Sequence, residues 1–168
     1  MDFGDAKAEL EDGLIYMMAG GSHPHARVAS NLIFSLRTRL RGSGCFPFGS
    51  DLATRTGERS IRFPDVSVHC GNPTAPENDD RKLLGDPTVV FEVLSPSTEQ
   101  HDQRTKLPEY QELPGVQAIV LINLRDESVR LVERTTVGWV DHVPASTGDL
   151  VLNALGISIP HAEIFARD

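Results

Sequence analysis

Apolar residues return at four-residue steps through Val28, Leu32, Leu36 and Leu40, with Ile33 widening the stripe. That spacing puts them on one face of an α-helix and predicts a helix from Ser22 to Gly42. Ser22 is placed to cap it, Pro24 suits its first turn and Gly42 ends it. His25 shares the buried face. Elsewhere the pattern is that of strands. GLIYMMA (13–19) reads as a first strand, and CFPFGSDLAT (45–54) and SIRFPDVSVHC (60–70) as two more around a turn at TGER (56–59). TVVFEVLS (88–95) and VQAIVLIN (116–123) are near-continuous apolar runs, as expected of strands covered on both faces. Between them, GNPTAPENDDRKLLGDP (71–87) reads as a long surface loop, and loops of this length are often functional. SPSTEQHDQRTKLPEYQEL (95–113) opens on Ser and Thr caps and continues as a polar helix that Pro108 must kink or restart. SVRLVERT and GWVDHVP read as a hairpin, and LVLNALGISIP (150–160) leads into a short helical tail, HAEIFAR. The order αβββαβββ implies an α/β or α+β domain with a mixed central sheet and a helix against it.

Two acids interrupt the apolar pattern. Asp65 follows Pro64 in FPDVSV, and Glu92 sits inside VVFEVL. Burying an unpaired carboxylate costs several kcal/mol or more, so something must compensate both, and a shared divalent cation is the economical candidate. Only strand pairing can bring the two together. Asp65 falls on the same face as Ser67, opposite Val66 and Val68. Mg²⁺ is typically held by one or two carboxylates and keeps waters that face a substrate phosphate. Lys106 adds an ammonium one helical turn after Asp102. If that face looks at the sheet, Lys106 can orient an attacking water or stabilise charge developing on a phosphoryl group. Asp102 would then hold the lysine or bind metal.

Each of these residues has a plainer interpretation. Asp65 could be a strand-end aspartate satisfied by backbone N–H groups, and Glu92 a buried partner of Arg62. Asp102 and Lys106 could form an exposed helix pair worth roughly 0.3–0.5 kcal/mol. His25 could be a hydrogen-bonded histidine of the helix's inner face, and Tyr110 a core residue. His69, His101, His142 and His161 show no ligand spacing. Ser95 and Ser97 lack the Gly-x-Ser-x-Gly elbow of a serine nucleophile.

The chain of 168 residues fits one domain spanning 1–168, and its 39% hydrophobic and 24% charged residues are ordinary for a globular protein. Its longest apolar run, VQAIVLI, is too short to span a bilayer, and the acidic N-terminus does not resemble a signal peptide. A cytoplasmic location is expected. Cys45 and Cys70, the two cysteines, lie outside any metal-ligand spacing and are expected as buried free residues in strands. A net charge of −8 counts against tight non-specific binding of nucleic acid, although RTRLRG (37–42) could form a local positive stripe.

PTVVFEVLSPSTEQHDQRTKLPEYQELPGV closely resembles the signature segment of the Uma-type restriction endonuclease family, within the PD-(D/E)XK nuclease superfamily. FPDVSV, HARVASNLIFSL and the early EDGLIYM also fit, so the likeness runs from about Glu9 to Asn123. The resemblance implies a restriction-endonuclease-like mixed sheet flanked by helices. It also implies hydrolysis of phosphodiester bonds in DNA with Mg²⁺ or Mn²⁺, and a homodimer whose partner covers a free edge near VLINL. By position, Asp65 is the PD aspartate, Glu92 the second acid and Lys106 the lysine, while His25 matches a histidine at the start of the first helix. Leu94 stands where the literal (D/E)XK pattern has lysine, and Lys106 takes that part from the next helix. The alternative is a nuclease fold kept as a catalytically inactive interaction module.

Overall fold

The computed structural model of the chain describes residues 7–18, 20–96 and 99–167. The elements are β1 (Ala8–Glu11), β2 (Leu14–Met17), α1 (His23–Arg39), β3 (Cys45–Gly49), β4 (Thr54–Gly57), β5 (Ser60–Arg62) and β6 (Val66–Cys70). They continue with β7 (Val89–Leu94), α2 (Glu99–His101), a π-helical stretch (Asp102–Lys106) and α3 (Leu107–Glu112). The last are β8 (Ala118–Asn123), β9 (Ser128–Thr135), β10 (Gly138–Asp141), β11 (Asp149–Leu152), β12 (Ile157–Pro160) and α4 (His161–Ile164). The fold is a mixed α+β domain around a six-stranded sheet of order β10-β9-β8-β7-β6-β3. Within it β7 and β8 run parallel, and every other neighbouring pair is antiparallel.

Burial follows from alternation along β7. Val89, Phe91 and Val93 face α1, whose Val28, Leu32, Leu36 and Leu40 form the stripe expected from the sequence. β11, β12 and α4 close the same side through Leu150, Leu152, Ile159 and Ile164. Val90 and Leu94 face the other way, toward Leu107, Tyr110 and Leu113. Glu92 lies between these last two along the strand and so points under α3. Ser22 caps α1 by accepting the N–H of His25, and Pro24 occupies the first turn.

The chain departs from the sequence expectation in several places. The first strand is not GLIYMMA but a hairpin, β1–β2, turning at Asp12 and Gly13, both at positive φ; Ala19 lies outside the described residues. β1 was missed because AELE reads as an acidic terminus. CFPFGSDLAT is not one strand, because the chain turns at Gly49–Leu52 between β3 and β4. SIRFPDVSVHC is not continuous either. β5 belongs to a second sheet of order β2-β1-β5-β4, and the chain crosses to the central sheet at Phe63-Pro64-Asp65. Pro64 has no N–H for a ladder bond, which suits it to a crossing between sheets. The order αβββαβββ is thereby replaced.

Cys45 and Cys70 are not buried free thiols. They are register partners on β3 and β6 and form a disulfide, with Cys70 exposed. The basic run does not form a stripe: Arg37 lies over the Phe46 ring at 4.5 Å, and Arg39 pairs with Glu163 at 2.8 Å. VLIN belongs to β8, which is interior. The edges of the central sheet are β10 and β3, and β2 is an edge of the smaller sheet with Leu14, Ile15, Tyr16 and Met17 all exposed. No helix among the described residues is long and apolar enough to cross a membrane.

Arg62 joins the smaller sheet to α3. Its fully buried guanidinium pairs with Glu109 of α3 at 2.7 Å, Glu11 at 3.0 Å and Glu9 at 3.4 Å. Burial would lower its pKa, but the hydrogen bonds and charge of Glu109, with help from Glu11 and Glu9, raise it. Removing one member of such a set strands the others without compensation. Arg62→Ala should cost about 3–5 kcal/mol in urea denaturation, and Arg62→Met clearly less than Glu109→Ala plus Arg62→Ala combined. A loss below about 1 kcal/mol for Arg62→Ala would mean that this network does not hold the smaller sheet to α3.

Candidate active site

The antiparallel register of β6 and β7 pairs Val66 with Phe91. Continuing that register by one step leads from Val66 to Asp65 and from Phe91 to Glu92, and the charge of Asp65 acts on the Glu92 carboxyl. Asp65 sits just ahead of β6, where the crossing from β5 frees it from the ladder. Its Oδ2 accepts the Val93 N–H at 2.7 Å, while Oδ1 lies 3.1 Å from His25 Nε2. Asp65 is therefore satisfied in part by backbone, as its plainer interpretation had it, and it is also in contact with the start of α1.

Glu92 is 2% exposed. It does not pair with Arg62. Its Oε1 accepts the Tyr110 hydroxyl at 2.7 Å and lies 3.7 Å from Lys106 Nζ. Tyr110 is a core residue as expected, and it also orients the acid. Lys106 is buried, so the exposed-pair interpretation of Asp102 and Lys106 does not apply. Its Nζ is 3.2 Å from Asp102 Oδ1 and 3.4 Å from Glu9 Oε1. Asp102 and Lys106 begin and end the π-helical stretch, where a widened turn precedes Pro108. Such turns recur at functional sites because they re-aim side chains that a regular helix would place elsewhere.

Glu9 is the member that the sequence reading left out. It reaches the cluster from β1, and its Oε1 also accepts the Phe63 N–H at 3.0 Å, tying the crossing to the site. The available clue was Asp12-Gly13 between the alternating AELE and LIYM, a strong hairpin signal that places Glu9 inside a strand. His101 is not a ligand but pairs with Glu11 at 3.2 Å. His69 is buried on β6, and burial pushes its imidazole down to about 4, so it stays neutral. Ser97 lies outside the described residues.

The charges decide the protonation states. Burial holds the Glu92 carboxyl well above the usual carboxylate range. Lys106 opposes that shift, and Asp65 and Asp102 add to it. Burial would lower Lys106, yet Glu92, Asp102 and Glu9 together raise it. The lysine is therefore an ammonium, unsuited to act as a base, while Glu92 holds its proton readily until another cation arrives. Four acids (Glu9, Asp65, Glu92 and Asp102) face one lysine and one histidine. Asp102 Oδ1 is buried and makes no hydrogen bond of proper geometry despite its nearness to Nζ.

This donor set fits a hard divalent cation at an open site. Among the described residues no group of three or more acid, His or Cys side chains is placed to hold a metal ion. Mg²⁺ does not need one, since one or two carboxylates plus water and substrate oxygens suffice. Asp65 and Glu92 are the residues that would hold it.

The description "Putative restriction endonuclease", that of the Uma2 family, matches residues 2–160. The chain belongs to the Uma2 family. It is 32% identical over 157 residues to the uncharacterized protein slr1290 of Synechocystis sp., covering 90% of this chain and 80% of that one. To the uncharacterized protein sll1609 of the same organism it is 30% identical over 118 residues, 70% of this chain and 66% of that one. A crystal structure of a putative nuclease belonging to DUF820 from Anabaena variabilis superposes with a TM-score of 0.79. It shares 15% identity and covers 99% of this chain and 93% of its own. At that identity the likeness establishes the fold, a mixed sheet flanked by helices.

His25 offers a direct check on the site. Its pKa is raised above the ordinary 6.5, first by the hydrogen bond to Asp65, against the lowering effect of burial. A raised folded-state pKa means that the pair stabilises the fold below the unfolded value, and that this is lost as pH rises through the folded one. An NMR titration should place the His25 midpoint above that of an exposed histidine, and Asp65→Asn should bring it below, because burial then acts alone. A midpoint unmoved by Asp65→Asn would mean that the two side chains are apart in solution.

Proposed function

We propose that the chain is a metal-dependent endonuclease that hydrolyses phosphodiester bonds in DNA, with Asp65 and Glu92 holding Mg²⁺ or Mn²⁺ and Lys106 serving the reaction. The observation that carries this is the convergence of Asp65 and Lys106 on Glu92: Asp65 precedes β6 beside the β6–β7 pairing and acts on the Glu92 carboxyl, and the Lys106 ammonium lies 3.7 Å from it. Family membership and the nuclease-named structural relative support it. The cation, when bound, polarises a phosphoryl oxygen and lowers the pKa of a water it holds.

The protein's own groups supply the rest. Glu92 gives up its proton as the site fills, and Tyr110 keeps Oε1 in place while it does so. Lys106 stays protonated, so its part is electrostatic: it stabilises negative charge growing on the phosphoryl oxygens and orients the attacking water. Asp102 and Glu9 fix the ammonium from the side away from the substrate. Asp65 is held by the Val93 N–H and by His25, so it enters the reaction already oriented.

Asp65→Ala and Glu92→Gln should each cut cleavage of plasmid DNA by about 10³-fold with Mg²⁺ or Mn²⁺, and Lys106→Ala by about 10²–10³-fold. Glu92→Gln should at the same time stabilise the metal-free protein at pH 8 by about 1 kcal/mol, a rise of ~2–4 °C in melting temperature. A raised folded-state pKa makes ionisation of Glu92 costly at high pH, so the difference should close below about pH 4.3, the unfolded value. Millimolar Mg²⁺ should raise the wild-type melting temperature and not that of Glu92→Gln. No turnover on any DNA or RNA, with no response of the melting temperature to either cation, would favour the inactive interaction module.

We include in this proposal a homodimer built on β2, whose apolar edge a second copy can extend by antiparallel pairing. Sedimentation should give a dimer for the wild type and a monomer for Ile15→Lys. A wild-type monomer throughout the micromolar range would remove the dimer and leave the active site untouched.

A further inference from the structure

A cleft of about 370 Å³ opens beside the acids without including them. Its floor is the carboxyl end of the parallel pair β7–β8, at Leu94, Ser95 and Asn123, which are where ligands collect in open α/β sheets. Its walls carry three arginines, Arg27, Arg125 and Arg167. Two carboxylates also line it, and both are engaged. Glu127 takes Arg167 at 2.9 Å, and Glu99 accepts the Asn123 amide at 3.2 Å. Arg27 and Arg125 have no carboxylate within ion-pair distance among the described residues. Arg27 Nε is moreover closed off from solvent and makes no hydrogen bond.

A buried guanidinium nitrogen without a partner is costly, and Arg27 and Arg125 both line this cleft in a chain whose net charge is −8. The compensating ligand must be an anion. Phosphate suits a guanidinium better than a single carboxylate does, because its oxygens accept the fork in pairs. The positive end of α1, seventeen residues long, points into the same cleft at Ser22 and Pro24. It contributes through its dipole rather than through free N–H groups, since Ser22 already takes the His25 N–H and Pro24 has none.

The cleft is also in line with the acids. Ser95 lies three residues beyond Glu92 on the same chain, roughly 10 Å at strand spacing. Ser22 and Pro24 flank the turn that delivers His25 to Asp65. A DNA strand carries a phosphate about every 3.4 Å of helix axis. A strand laid across the acids therefore presents another phosphate to the arginines.

We infer that this cleft is an anchoring subsite for a backbone phosphate flanking the scissile one, gripped by Arg27 and Arg125. The substrate class rests on the nuclease reading above, but the cleft and its anion preference do not. Arg27 and Arg125 are binding residues, outside the reacting atoms, so they set affinity and strand position rather than the rate of bond cleavage.

The test is fluorescence anisotropy with a labelled DNA duplex and its single strand, in the Glu92→Gln background without divalent metal, so that binding is read whether or not the chain cuts. Arg27→Ala and Arg125→Ala should each weaken binding about tenfold and reduce the slope of log K against log salt by about 1. In the otherwise wild-type enzyme, KM should rise with kcat within about twofold. Arg125 is exposed, so its variant keeps the fold whatever Arg27→Ala does, and Arg27→Lys should recover part of the affinity. Unchanged affinity and salt slope in the Arg125→Ala variant and in folded Arg27→Ala would overturn the subsite, even if the enzyme cleaves. Arginine-dependent binding of DNA by a wild type that never cleaves would support the subsite and overturn the nuclease reading instead. Inorganic phosphate bound through Arg27 with no affinity for either DNA would overturn the assignment to a strand.

Discussion

The pairing of β6 with β7 is the constraint on which the site depends. With Val66 opposite Phe91, Asp65 comes just beyond the last registered pair, where its charge acts on Glu92. A slip of one residue would send one of the acids to the α1 side, among Leu32, Leu36 and Val93, where nothing polar awaits it. The register is held by the alternating valines of both strands. Val66 and Val68 must go under α1, and Val89, Phe91 and Val93 must go with them. The hydrophobic core therefore positions the acids, and it does so rigidly because strands buried on both faces have no freedom to slide.

Such positioning has an electrostatic cost that the second sheet helps to meet. Glu92, Asp102, Lys106, Glu9 and Arg62 are all buried, and no one of them is stable there alone. They form two linked groups, one around Lys106 and one around Arg62, with Glu9 common to both. Glu9 thereby couples the β1–β2 hairpin to the cluster around Lys106. The acids still outnumber the cations around Lys106. That excess is unfavourable for the fold and favourable for a divalent cation, a conflict between stability and binding common at functional sites.

The overall negative charge and a phosphate-bearing substrate are compatible once charge is located. Much of the acid is spent on Arg62, Lys106 and surface pairs such as Arg39–Glu163, while Arg27 and Arg125 at the mouth of the parallel strands have no carboxylate partner among the described residues. Affinity for a polyanion depends on the local field where the strand lies, and low-dielectric walls concentrate that field. The basic run 37–42 takes no part in this. Arg37 and Arg39 point to Phe46 and Glu163 instead.

Period and chemistry along the chain determined much by themselves: α1 with its cap, the buried pair β7 and β8, and the restart at Pro108; they also singled out Asp65, Glu92 and Lys106 as candidates for one site. These are local patterns, or acids too costly to leave in apolar strands without purpose. Only the tertiary structure decided that SIRFPDVSVHC divides between two sheets, that Cys45 meets Cys70, that Arg62 serves Glu109 rather than Glu92, and that Glu9 joins Lys106. Each of those depends on partners more than 20 positions away. Residue spacing carries information about faces of a helix or strand, but not about which distant face lies opposite, because that is settled by packing the whole core at once.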